Sequence, residues 1–530
     1  MRRRLSIFPL FLSFLSYFYG SAAMADTAGG EECLTKDISD YQWRVRHPAD
    51  LPANLEVQPG TLMKKCVKLV GVGKYPLSLT SKGMAFSVNG GEFIKDAPVE
   101  IKDGDTIRIE LNAPDKYNVM WENRLEFRES DKERRRGIYR IVWITQTANT
   151  ARKPETWRVG PGQQYRQLKD VVKNLAAGDT IYLEPGAEYD PIDIRNVPGT
   201  EELPIHLIGD TDKADERPVF TGGTERFNWT LGLRHSHNWI VENVVLEDGG
   251  LCFRNESTNT VLKNVLIRRC ATGILATDRN SGNLTLDGVE VTKSGGKGRA
   301  WGHGVYVASD QHAFPGSQLI IRNSFLHDNR GNSIKSRFEK TLIEGNWIES
   351  GTHREAKYLV ELIGYDNKYD FSGQQFVVRG NTLLMRNPGL GSRTGGDGNS
   401  SSRGDTLYEN NLFLIDEDFG RTIVRTFQGL RSVTMRNNTI AFIDDDRDTT
   451  LLTDEISDSN WLEGHPVITL EGNSVTEDTQ LLRRDETSDG DDRSAISISG
   501  NREIPPVVVT MDDVNKRRPQ EGGYIEIKGF

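Results

Sequence analysis

One short phrase recurs nine times between Asn238 and Asn501, and it constrains this chain more than any other feature. It consists of two or three apolar residues, a polar residue, Asn or Gly, then more apolar residues. Trp239–Leu246 (WIVENVVL), Leu319–Leu326 (LIIRNSFL) and Val433–Ile440 (VTMRNNTI) are examples. The Asn or Gly falls at 243, 264, 288, 323, 345, 380, 410, 437 and 472, in steps of 21, 24, 35, 22, 35, 30, 27 and 35. A period of roughly 20–50 residues marks a solenoid, propeller or array. The copies are rich in β-branched residues and alternate at period two, and helix-length apolar stripes are absent. The pattern predicts an all-β chain, a parallel β-helix with one coil per repeat. Asn and Gly accept the left-handed backbone of a tight corner. Stacked Asn side chains are expected to bond along that column. The unequal steps predict loops inserted at fixed corners, over a binding face.

The 530 residues, 36% of them hydrophobic, suffice for a large core and two domains. A net charge of −10 argues against nucleic acid as a partner. It leaves room for an acidic polysaccharide bound in a local basic groove. Residues 1–25 read as a signal peptide. Arg2, Arg3 and Arg4 precede the apolar stretch Leu5–Tyr19, and Ala23-Met24-Ala25 has the small-x-small form of a cleavage site. Cleavage after Ala25 and a secreted or periplasmic bacterial protein are expected. No segment suits stable membrane insertion, and no oligomeric state follows from the sequence. Export permits disulfides. Cys33 with Cys66 would pin the N-terminal segment, and Cys252 with Cys270 would link neighbouring coils; both pairings stay open. No Cys-x-x-Cys pair suggests zinc.

In chain order, residues 26–60 are polar and irregular. Residues 61–147 read as a β domain, with strands at Val67–Val70, Leu77–Leu79, Met84–Val88, Val99–Ile101, Thr106–Leu111 and Tyr139–Thr145. Asn89-Gly90 and Lys102–Asp105 are its turns, and Glu129–Arg136 reads as a solvated, charged loop. The phrase Asn89-Gly90, Val99, Lys102–Ile107 resembles immunoglobulin-like domains attached to secreted bacterial proteins. That implies a structural appendage or a carbohydrate-binding module. A linker, 148–156, leads to the β-helix at 157–501. Its start reads as strand, short amphipathic helix and strand. Leu168, Val171, Val172 and Leu175 share the helical face that would cap the open end. Trp157–Tyr189 resembles the opening segment of right-handed parallel β-helix proteins of the pectate-lyase-like class, which implies the handedness. Pro198–Ile208 and Arg217–Gly223 resemble the first coils of polysaccharide lyase family six, which contains chondroitinase B and alginate lyases. The tail, 502–530, is charged and proline-rich, and is expected to lay one last strand at Tyr524–Ile527 or to be mobile.

Between the repeats runs a second set of short strands. Leu251, Ile274, Val305, Ile334, Val360 and Ile423 align as inward-facing. Cys252, Leu275, Tyr306, Lys335, Glu361 and Val424 then face outward. Adjacent strands lie about 4.8 Å apart, so Tyr306, Lys335 and Glu361 are expected to form an exposed vertical row. Ala308 and Arg337 point the same way two positions on. A slip of one residue reverses every side chain, and the plain alternative is a solvated face with a Lys–Glu pair. Two inserts flank the row. Thr292–His303 is glycine-rich and basic: Lys293, Lys297 and Arg299 could meet carboxylates, Trp301 could stack on a sugar, and His303 could transfer a proton. His327 is a weaker candidate, at a corner. Asn387–Arg403 reads as a mobile loop whose Arg393 and Arg403 could hold substrate carboxylates. Gly331–Arg337 resembles the lysine-bearing strand of the family-six lyases, which implies Lys335 as general base. The family's next coil carries an Arg-His-Gly phrase where this chain has Glu361. The resemblance allows calcium, yet no acidic cluster of the family's kind can be placed, so no cofactor is assigned.

The favoured function is β-elimination on a uronate-containing polysaccharide. Lys335 would be the base, Arg337 or Arg299 would neutralise the carboxylate, and Tyr306 or His303 would protonate the leaving oxygen. Uronan epimerisation begins with the same proton abstraction. Glycoside hydrolysis needs two carboxylates about 5–9.5 Å apart, with Glu361 and Asp366 as candidates. A non-catalytic polysaccharide-binding β-helix would carry the same repeats.

Overall fold

The computed structural model describes residues 33–37, 51–72, 77–129, 139–223, 228–296, 302–351, 358–364, 373–386, 390–396, 404–416, 422–427, 430–445, 448–455, 467–484, 494–505 and 507–528. The expected leader, residues 1–25, lies outside them.

From Thr156 onward the chain winds as a right-handed parallel β-helix with three sheets. Among the described residues the first sheet runs from Thr156–Val159 to Ala495–Ser499, the second from Glu188–Tyr189 to Arg502–Glu503, and the third from Ile192–Arg195 to Thr479–Arg484. Every neighbouring pair in these sheets is parallel, and each coil contributes a strand to the next position. The repeated phrase supplies the first-sheet strand, the corner and the second-sheet strand. All nine corner positions have positive φ, between 50° and 65°. Only Asn and Gly occupy them, because other side chains strain there.

The expected asparagine ladder exists, one residue past that column. Asn346 donates to Asn381, Asn381 to Asn411, Asn411 to Asn438, Asn438 to Asn473 and Asn473 to Asn501, at 2.8–3.0 Å. The same amides also reach backbone carbonyls, as Asn381 does to Ile343 O at 2.9 Å. These buried polar groups are therefore satisfied, as a core position requires. Inside the coils lies one continuous apolar cluster from Val159 to Val475. Its N-terminal end is covered by Leu168, Val171 and Leu175, at the expected place. The cover is two short 3-10 turns, Leu168–Asp170 and Val172–Asn174, rather than one amphipathic helix. Asp170 accepts from the backbone of Arg166 and Gln167 and ties down the first turn.

Before the coils, two sheets share one core that includes Leu69, Phe86, Ile109, Leu79, Phe127 and Trp143. The strand Val119–Glu129 had no sequence signal, because charged residues fill much of its solvent face (Glu122, Arg124, Glu126, Arg128). This β domain meets the coils through Val142, Ile144 and Ala313, and Gln146 donates to His235 O at 2.6 Å. The cysteines form Cys33–Cys66 and Cys252–Cys270.

The tail neither lays a strand at Tyr524–Ile527 nor stands away from the coils. Val508–Val509 pairs with Phe442 and Ile443, and the helix Met511–Arg517 follows, capped by Thr510 and Asp513. Val514 is buried against Phe325, Trp347, Leu384, Leu414, Ala441 and Ile443 on the outer face of the second sheet. Arg518 then donates to Glu349 at 2.6 Å and lies 3.2 Å from His327 Nδ1. Gly522 N donates to Glu290 at 2.7 Å, and His327 Nε2 lies 3.1 Å from Glu290. Among the described residues no helix is long and apolar enough to cross a membrane.

Candidate active site on the third sheet

Five consecutive third-sheet strands carry the site: Val305–Ala308, Ile334–Arg337, Tyr358–Ile363, Leu390–Gly395 and Thr422–Thr426. Val305, Ile334, Val360, Ser392 and Val424 stand in line and are buried. Period two therefore turns Tyr306, Lys335, Glu361, Arg393 and Arg425 to the opposite face, also in line.

Two parts of the expected register need correction. Val424 faces inward and Arg425 outward, the reverse of expectation. Ile423 and Val424 are both fully buried, so alternation gave no phase there. The phase comes from pairing with Ser392 and Arg393. Their strand lies inside the insert expected to be a mobile loop; sheet pairing overrides its glycine-rich composition. At the other end, Phe253 rather than Leu251 aligns with Ile274, and Arg254 aligns with Leu275. Cys252, expected outward, is fully buried in the core and bonded to Cys270.

The row is held by charge. Glu361 Oε2 lies 3.3 Å from Lys335 Nζ and accepts from Asn332 Nδ2 at 2.6 Å; Oε1 accepts from Arg393 Nη1 at 3.0 Å. Glu361 points outward as expected, but it is not exposed: these three partners leave it 3% accessible. Lys335 Nζ lies 5.2 Å from the centre of the Tyr306 ring, and Tyr306 meets His303 edge-on at 5.4 Å. Asn332 joins these parts. Its backbone N–H donates to His303 Nδ1 at 3.0 Å and its Oδ1 accepts from Tyr358 N at 3.0 Å.

Below Glu361, Arg393 stacks 4.1 Å from the Phe427 centroid and 5.8 Å from that of Tyr358. Burial pushes the Tyr358 phenol up, and the charges of Arg393 and Arg425 pull it partly back. Arg425 forms a bidentate pair with Glu455, 2.6 Å at each contact. Tyr358, Arg425, Phe427 and Glu455 escaped the sequence reading; correct phasing of Thr422–Thr426 would have revealed Arg425. Arg337 sits two positions past Lys335, but it is 4% exposed and donates to Gly364 O at 2.5 Å. It braces the end of the next strand. Lys297, Arg299, Trp301, Asp366 and Arg403 lie outside the described residues.

The described residues of the row do not fit a calcium ion, which takes six to eight oxygen ligands: its carboxylates already face Lys335, Arg393 and Arg425. His327 on the second sheet, Asp328 just after it and Glu521 of the tail come close enough together to hold an ion. Arg518, which donates to Glu521 at 2.9 Å, already supplies positive charge among them.

The family described as a right-handed β-helix region matches residues 230–383. No curated protein matches. Among solved structures, an alginate lyase from Paenibacillus sp. str. FPU-7 aligns at 13% identity over 66% of this chain and 99% of its own, with a TM-score of 0.27. A rhamnogalacturonan lyase aligns at 11% identity over 71% and 96%, with a TM-score of 0.40. The catalytic domain of a GH87 alpha-1,3-glucanase, in complex with nigerose, aligns at 11% identity over 84% and 92%, with a TM-score of 0.30. Likenesses this slight transfer no residue role.

Proposed function

For a right-handed parallel β-helix carrying this row, we propose β-elimination on a uronate-containing polysaccharide, with Lys335 as the base. One observation carries the reading. Glu361 in the row and Glu455 beside Arg425 are each held by basic side chains, while a lysine, a tyrosine and a histidine converge beside Glu361. Hydrolysis by inversion or retention needs a protonated carboxylic acid. Among the described residues Glu361 and Glu455 are both engaged by cations, and Asp366, the other carboxylate considered for hydrolysis, lies outside them.

The row also carries excess positive charge in an acidic protein. Lys335, Arg393 and Arg425 stand in line, and Arg483 extends the line through Thr453. A polyanion laid along the sheet would meet one cation at most steps of about 4.8 Å. Arg393 is the best placed to share its charge with a substrate carboxylate.

In the elimination, the uronate C5 proton passes to the neutral Lys335 amine. The C5–H electron pair becomes the C4–C5 double bond, and the C4–O bond breaks with its pair on oxygen. That oxygen takes the Tyr306 phenol proton, and Tyr306 is reprotonated from the Lys335 ammonium beside it. When Lys335 gives up its own charge, Glu361 keeps Arg393 and Asn332 as partners, so the carboxylate is not stranded. Export with cleavage after Ala25 fits this reading, because such polymers lie outside the cytoplasm; the β domain at 61–147 would serve as an appendage to the coils at 157–501.

The test is a panel of acidic polysaccharides, read by ultraviolet absorbance of unsaturated ends and by reducing-end assay together. Both signals rising together are expected. New reducing ends without the absorbance would mean hydrolysis. An altered uronate without cleavage would mean epimerisation, and binding alone would mean a scaffold.

A further inference from the structure

We infer that His303 works as a neutral imidazole with its proton fixed on Nε2, so that it gives a hydrogen bond to the oxygen that gains charge in the reaction and does not itself transfer a proton. The use of that bond rests on the elimination reading; the tautomer rests on geometry alone.

The fixing group is the backbone of Asn332. Its N–H donates to His303 Nδ1 at 3.0 Å, so Nδ1 must offer a lone pair. In a neutral ring the proton then sits on Nε2. Imidazolium carries N–H on both nitrogens, and protonation would set two donors against each other at that contact. The backbone N–H cannot rotate away, because Asn332 is tied at three further points. Its carbonyl accepts from Gly304 N at 2.9 Å, its Oδ1 accepts from Tyr358 N, and its Nδ2 donates to Glu361.

Glycine makes the approach possible. A Cβ on Gly331 would come 2.8 Å from His303 Nδ1 and 2.1 Å from Gly302 O. Any other residue would push this segment off the ring. The chain uses the same device elsewhere. Thr258 N donates to His237 Nδ1 at 3.0 Å, in a fully buried ring whose pKa burial pushes down to about 3.

The consequence separates the two candidates for the leaving oxygen. His303 cannot take a proton at Nε2 without moving the existing one to Nδ1, where Asn332 N–H stands. Its chemistry is donation from Nε2, the way a preorganised donor stabilises developing charge. The transferred proton is left to Tyr306, in edge contact with the ring.

Histidine-selective 15N labelling of the full chain tests this, with the resonances of His303 assigned by their loss in His303→Gln. A pyridine-type Nδ1 and a pyrrole-type Nε2 are expected, unchanged through the ordinary histidine range near pH ~6.5. A proton on Nδ1, or titration in that range, would overturn the inference whatever the activity. On a polysaccharide that the wild type cleaves, His303→Gln places an amide N–H near the Nε2 position and should keep about a tenth of turnover. His303→Ala should lose ~100-fold, the scale of one lost donor to developing charge. Equal losses in the two variants would contradict a donor role. Absence of elimination by the wild type would sink the elimination reading, and the nitrogen spectra would still decide the tautomer.

Discussion

On the third sheet Glu361 lies between Lys335 and Arg393; on the second, Glu290 and Glu349 lie around His327 and Arg518. The two clusters use the same residue types on overlapping coils. They differ in what covers them. The second is closed by the chain's own tail, with Arg518 and Gly522 satisfying its carboxylates and Val514 sealing the apolar face beside it. The first is assembled from the coils alone: Asn332, Lys335, Glu361 and Arg393 all come from the third sheet and the turn before it. A charge cluster is therefore not a site by composition. A docked tail turns one into a clamp, while the other is built across neighbouring strands of one sheet.

Removing the tail should break the contrast most severely. Loss of residues 507–530 exposes Phe325, Trp347 and Leu414 and deletes the fully buried Val514. Burial of a large apolar side chain contributes about 1.5–3 kcal/mol, so exposing these three should cost roughly 4.5–9 kcal/mol. Coils contact only their neighbours, so the third-sheet row should keep its activity per folded molecule. Denaturant unfolding and turnover, measured on the same preparation, check both halves. Unchanged stability would mean that the tail does not close the cluster.

A smaller effect comes from the buried carboxylates. Glu349→Ala removes one of the two carboxylates on Arg518, and Glu361→Ala removes the carboxylate that Lys335 and Arg393 share; breaking such a pair costs up to about 3–5 kcal/mol. Glu361→Ala should also abolish turnover, because Lys335 and Arg393 lose their shared anchor. Glu349→Ala should leave turnover per folded molecule intact. Equal activity in the two variants would erase the distinction.

The smallest effect is a pH dependence. Burial pulls His327 down, but hydrogen bonds to Asp328 and Glu290 and the charges of Glu290 and Glu349 outweigh it and hold the ring above its ordinary value. The nearby Arg518 opposes that shift without reversing it. A folded pKa above the unfolded one gives stability that is complete below about pH 6.5 and is lost as pH rises through the folded value. His327→Gln should flatten the stability curve above pH ~6.5. Parallel curves for the two proteins would show that the ring does not titrate with folding.

The corner column was legible because Asn and Gly tolerate its backbone best, and all nine positions read from the sequence have positive φ. The row was legible at Tyr306, Lys335 and Glu361, where polar and apolar residues alternate. It was lost at Ile423-Val424, where both residues are buried, and at Leu390–Gly395, where glycines hide a strand that neighbouring strands impose. His303 was legible as a residue but not as a tautomer, which depends on a backbone N–H 29 residues away. The tail's docking was illegible because its partners, Glu290, His327 and Glu349, lie on coils that local pattern does not connect to it.

Turnover by Lys335→Met tests the central claim most directly. The substitution keeps the unbranched stem and removes the amine, and Glu361 retains Arg393 and Asn332. On a polysaccharide that the wild type converts to unsaturated product, the variant should lose at least ~100-fold in rate, the scale of a missing general base. Its melting temperature and polymer binding should stay close to those of the wild type. Full turnover by a folded Lys335→Met protein would contradict the assignment of Lys335 as the base.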